Sequence, residues 1–78
     1  MNEERYDGYR IVNSATGQIA FRVRGARMVN PSNGQTEYRI RDDDRVVNAS
    51  TGQLAFRIRD HERIIDARTG QLVFRLRS

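Results

Sequence analysis

Cysteine is absent from all 78 residues, so disulfides and thiolate-bound metals are excluded. Tryptophan and lysine are also missing, histidine occurs once, as His61, and proline once, as Pro31. No apolar run is long enough for a signal-peptide core or a membrane-spanning helix, and Met1 leads directly into Asn2, Glu3, Glu4 and Arg5. The chain therefore reads as soluble and cytoplasmic, with no membrane partner. A domain this short buries little apolar surface, and chains of its size often rely on a metal, a disulfide or a partner subunit.

What is present is arginine: fourteen residues, giving a net charge of +4. Every cation in the chain is thus a planar fork able to hold carboxylate or phosphate through two bonds. A GC-rich genome would produce the same bias, but its physical consequence is unchanged.

The second positive feature is a repeat. Residues 9–25, 26–42, 44–60 and 62–78 are four copies of one unit, and the last two agree at nine of seventeen positions. Residues 1–8 lie outside the repeats as an N-terminal segment. In the third copy, a β-branched run (Arg45-Val46-Val47-Asn48) is followed by a turn (Ala49-Ser50-Thr51-Gly52) and a longer alternating run from Gln53 to Arg59. Gly17, Gly34, Gly52 and Gly70 hold one turn position, where a positive φ is wanted. Asn13, Asn30, Asn48 and Asp66, four residues earlier, can accept hydrogen bonds from turn amides. No window has helical spacing. The fold class is all-β, with four hairpins of about eighteen residues and eight strands in all.

The six-residue phrase from Asp66 to Gln71 resembles turns in the outer hairpins of quinoprotein-type β-propeller blades. The likeness is one of turn chemistry and implies no function.

In the second strand of each hairpin, Ile19, Phe21 and Val23 are expected on one face and Ala20, Arg22 and Arg24 on the other, with Leu54, Phe56, Ile58 and Leu72, Phe74, Leu76 repeating the pattern. Thr36, Tyr38 and Ile40 are the weaker version in the second copy. This predicts a buried layer of Phe21, Phe56 and Phe74 with Leu54 and Leu72. The first strand has two registers. A three-residue loop places Ile11, Val46 and Ile64 in the core, whereas a four-residue loop places Val12, Val47 and Ile65 there, because a one-residue slip exchanges the faces. The shorter loop gives the cleaner pattern, since it sends Arg10, Arg27, Arg45 and Arg63 outward.

An antiparallel meander, curled into a small barrel or packed against another copy, and a β-solenoid both satisfy the repeat. The solenoid stacks Arg22, Arg39, Arg57 and Arg75 on one another, so the meander is favoured. Glycine outside the hairpin turns is confined to Gly8 and Gly25, leaving the links at Asp42 and Asp60 short of residues for sharp corners. The strand from Gln71 to Ser78 would then be an open edge showing Leu72, Phe74 and Leu76, which points to a homo-oligomer joined through the apolar face of Phe21, Phe56, Phe74, Leu72 and Leu76.

For chemistry, the repeated polar feature is a set of arginine pairs: Arg22 and Arg24, Arg39 and Arg41, Arg57 and Arg59, Arg75 and Arg77. They form a candidate docking face for nucleic acid or another polyanion, or else a solvated face neutralised by Asp44, Asp60 and Glu62. Residues 1–41 hold seven arginines against four acids, and residues 42–78 hold seven against six. An anion site is therefore expected in the first two copies. The acidic links Asp42-Asp43-Asp44 and Asp60-His61-Glu62 read as polar turns rather than metal sites, because no Gly-bearing twelve-residue ligand loop surrounds them. Asn and Gln near the turns suggest sugar binding only weakly without tryptophan. No nucleophile with a base, carboxylate pair, metal triad or phosphate loop is visible. The sequence thus points to a non-enzymatic structural or interaction protein without a cofactor or catalytic residues, self-associating through its sheet, or alternatively to an arginine-faced polyanion binder.

Overall fold

A computed structural model describes residues 5–78. Residues 1–4, the start of the N-terminal segment, lie outside the described part. Eight strands follow one another: β1 (Arg10–Asn13), β2 (Ile19–Arg24), β3 (Arg27–Val29), β4 (Thr36–Ile40), β5 (Arg45–Asn48), β6 (Leu54–Arg59), β7 (Arg63–Asp66) and β8 (Leu72–Arg77). Each pairs antiparallel with the next, and β8 returns to β1 to close a barrel. The strand from Gln71 onward is therefore not an open edge: Leu76 lies opposite Ile11 and Phe74 opposite Asn13. Closure inside one chain removes the edge-pairing motive for assembly, because β8's backbone groups already have partners. It also excludes the solenoid, since successive copies are antiparallel neighbours rather than stacked coils.

The turns form as their residue types dictate. The Asn13 side-chain oxygen accepts from the amides of Ala15 and Thr16 at 2.8 and 3.1 Å, and Gly17 donates to the Asn13 carbonyl at 2.8 Å. Gly17 has φ +77° and Gly52 the same value, a region that costs side-chain-bearing residues strain. Asn48 and Asp66 repeat the bonding at their turns.

Both candidate registers occur, in different parts of each hairpin. Beside the turn, Asn13 pairs with Gln18 and Val12 lies opposite Ile19, as a four-residue loop requires. Ile11 then lies opposite Phe21, the register of the three-residue loop. One extra residue, Ala20, is accommodated between them as a β-bulge, and the same shift recurs in the other three hairpins. A bulge breaks the i, i+2 rule, so Phe21 and Ile19 no longer share a face. Phe21, Phe56 and Phe74 pack against the core, while Ile19, Leu54 and Leu72 are 39%, 37% and 36% exposed. The expected layer of phenylalanines with Leu54 and Leu72 is thus corrected: the leucines lie outside, next to Val47 and Ile65.

Inside the barrel the side chains form tiers, as an eight-stranded barrel has room for little else. Phe21, Tyr38, Phe56 and Phe74 make a closed four-membered ring at the turn end, each edge-to-face with the next at 5.3–5.7 Å. Such contacts add about 0.5–1.5 kcal/mol each beyond area burial. Above them are the fully buried Ile11, Met28, Val46 and Ile64, then Val23, Ile40, Ile58 and Leu76. The opposite end is stopped by Tyr6, only 2% exposed, which the repeat pattern did not foreshadow.

Corner chemistry in the second half comes from aspartate and histidine instead of glycine. Asp44, Asp60 and His61 adopt positive φ of 65°, 57° and 57°, where the first link uses Gly25 at 59°. Asp, Asn and His tolerate this region better than most side chains. The links that lack glycine are therefore bent in part by aspartates, which also carry negative charge.

Candidate functional site

The alternation of β2, β4, β6 and β8 sends one set of arginines outward, and cross-strand pairing gathers them with the arginines of the odd strands. Arg10 lies between Arg77 and Arg22. Arg27 lies between Arg24 and Arg39. Arg63 lies between Arg59 and Arg75, and Arg45 lies beside Arg57 with its carbonyl accepting from the Arg41 amide at 2.8 Å. Four clusters of three thus form a belt around the barrel, and the eight arginines singled out in the sequence all belong to it. Beneath the belt, outward-facing Val12, Val29, Val47 and Ile65 sit opposite Arg75, Arg22, Arg39 and Arg57. Arginine stems cover such apolar surface while their heads stay in water.

The clusters differ in counter-charge. Arg45 pairs with Asp43 at 2.7 Å, Arg63 with Asp60 at 2.5 Å and Arg75 with Glu62 at 3.6 Å. The Arg45 hydrogen bond holds the Asp43 carboxyl below the usual carboxylate range. All three acids come from the two charged links. The link between β2 and β3 is Gly25-Ala26 and carries no charge. Among the described residues no carboxylate lies within ion-pair distance of Arg22, Arg24 or Arg27.

A groove of about 400 Å³ opens at this place, lined by Arg22, Arg24, Arg27, Val29, Asn30, Pro31 and Gly34. A smaller cavity of about 230 Å³ lies on the other side of the Arg22–Arg24 ridge, between Tyr9 and Asp7. The Asp7 carboxylate there accepts from the Gly25 amide at 2.7 Å. The equivalent wall on β6 and β7 has Asp66 in place of Asn30 and the Asp60 ion pair on Arg63.

The barrel's Tyr6 end holds a second polar group. The Tyr6 hydroxyl lies 2.9 Å from His61 Nδ1 and donates to Asp44 at 3.2 Å. Asp44 also receives Arg5, whose guanidinium lies 5.3 Å from the Tyr6 ring centre. Burial pushes the Tyr6 hydroxyl above the usual tyrosine range. His61 therefore has a specific partner in the buried Tyr6.

No cluster of three or more metal-ligating side chains occurs among the described residues. No helix in the described part is long and apolar enough to cross a membrane. The longest strands have six residues, against about 9–11 for a membrane-spanning strand. No family model, curated protein or solved structure matches the chain.

Proposed function

We propose that the barrel is a non-enzymatic binding module whose arginine belt docks polyanions, engaging them through the half formed by the first two repeats. The carrying observation is the groove between β2 and β3, where three outward arginines converge with no ion-paired acid among the described residues. A phosphate entering it meets forks whose charge is not already spent on a neighbour. The test is retention on immobilised heparin and DNA at 50 mM salt. Retention should fall steeply as salt rises, and charge reversal at Arg22, Arg24 and Arg27 should abolish it. Lack of retention on either matrix at that salt would overturn the reading.

Self-association is the second reading, and it now rests on a different surface. Ile19, Leu54 and Leu72 are exposed outside the barrel, next to the outward residues Val12, Val47 and Ile65. Exposed apolar side chains at three equivalent points of the barrel offer contacts to another copy. Light scattering would show at least twice the chain mass at micromolar concentration, reduced by Ile19→Glu with Leu54→Glu and Leu72→Glu. A monomer across the accessible range would remove it.

A further inference from the structure

We infer that the ligand of the Arg22–Arg24–Arg27 groove is a flexible single strand of nucleic acid rather than a duplex, an inference that rests on the polyanion reading above. The first argument is curvature. The two clusters without an ion-paired acid among the described residues, Arg77/Arg10/Arg22 and Arg24/Arg27/Arg39, occupy five consecutive strands, from β8 through β4. Five of eight strands is more than half the circumference of a body 25 × 25 × 23 Å in extent. Duplex DNA bends over a persistence length of about 50 nm. Laid against so small a convex surface, it is tangent at the groove and does not follow the belt round to Arg77 on one side and Arg39 on the other. A single strand has no such stiffness and follows the belt across both.

The second argument is the groove's lining. Val29 and Pro31 give it an apolar wall beside the arginines, so it offers contact to a base or sugar as well as to phosphate. Guanidinium planes also stack on unpaired bases, which a duplex keeps inside its helix. The spacing agrees with this. Arg22 and Arg24 are two residues apart on one strand, roughly 6.6–6.8 Å along it, and Arg27 stands directly across from Arg24. Successive phosphates of an extended strand can each meet one fork.

Fluorescence anisotropy on the full chain, with a labelled dT 20-mer, a 20-base-pair duplex and heparin as competitor, tests this. At 50 mM salt the single strand should bind at least tenfold more tightly than the duplex. With Arg22→Gln, Arg24→Gln and Arg27→Gln together, the log–log salt slope for the single strand should become shallower by about 2, at roughly 0.7 for each phosphate that is no longer neutralised. Pro31→Glu, in an exposed turn, should lower single-strand affinity without removing an arginine. Duplex binding as tight as single-strand binding would overturn the inference, as would an unchanged slope in the triple variant. Heparin binding with no DNA binding would overturn it while leaving the polyanion reading intact. No binding to any probe would overturn both.

Discussion

The two halves of the barrel share one backbone and differ in what their links carry. Hairpins one and two and hairpins three and four have the same register, the same bulge and the same inward tiers. Between β2 and β3 the chain turns on Gly25-Ala26, whereas between β4 and β5 and between β6 and β7 it turns on Asp43-Asp44 and Asp60-His61-Glu62. Conformation needs only a residue that accepts positive φ there, and glycine and aspartate both do. Charge is affected strongly: one half pairs Arg45, Arg63 and Arg75 with acids of its own links, and the other leaves a three-arginine groove to solvent. A repeat can therefore hold its fold constant while a link residue decides which arginines are paired.

If the halves are equivalent as folds, matched core truncations should cost the same. Phe21→Ala and Phe56→Ala should each destabilise by about 3–5 kcal/mol, toward the lower figure because both rings are only half-buried. Denaturant melts would measure it, and a difference above about 1 kcal/mol between them would break the equivalence.

Gly17→Val and Gly52→Val form the next pair. Nothing lies within 4 Å of a Cβ at either position, so only backbone strain at φ +77° opposes the substitution. Each should cost on the order of 1–3 kcal/mol, with equal shifts in the two halves.

Tyr6→Phe should cost about 1 kcal/mol, the value of a typical hydrogen bond, by removing the links to Asp44 and His61. The same hydroxyl gives a pH signature. Its folded pKa is raised by burial, so its contribution is complete below pH 10.0, the ordinary tyrosine value, and is lost as pH rises through the folded pKa. Melting temperature should fall at alkaline pH in the wild type, and less in Tyr6→Phe.

Asp60→Gly has the smallest expected effect on stability. It removes an exposed ion pair but relieves a positive φ at the same residue, and the net change should stay within about 0.5 kcal/mol. Affinity for DNA should nonetheless rise, because Arg63 loses its partner. Anisotropy showing no gain would mean that the acidic links do not set the difference.

Strand order, turn positions and the outward arginines were legible from the repeat, because alternation and turn chemistry are local. The inward row Ile11, Val46 and Ile64 was legible too, as one of two registers. The bulge was not: it inserts Ala20 between two valid registers, and an i, i+2 reading across it assigns Ile19, Leu54 and Leu72 to the wrong face. Closure is less legible, because aspartate and histidine rather than glycine take the positive φ at the second-half corners. Tyr6 was missed since it lies outside the repeat and its partners, Asp44 and His61, are 38 and 55 residues away. The groove of Arg22, Arg24 and Arg27 lies within residues 1–41, where arginine exceeds acid seven to four.

The most direct measurement compares two triple variants at equivalent positions: Arg22→Gln, Arg24→Gln, Arg27→Gln and Arg57→Gln, Arg59→Gln, Arg63→Gln. Both remove the same charge from the same element of the barrel, and both replace exposed side chains. Binding to single-stranded DNA, titrated from 50 to 200 mM salt, should lose most of its affinity and about 2 from the magnitude of its log–log slope in the first variant. The second should change the slope by less than half as much. Equal losses in the two variants would contradict the division of the belt, and the larger loss in the second would place the site in the other half.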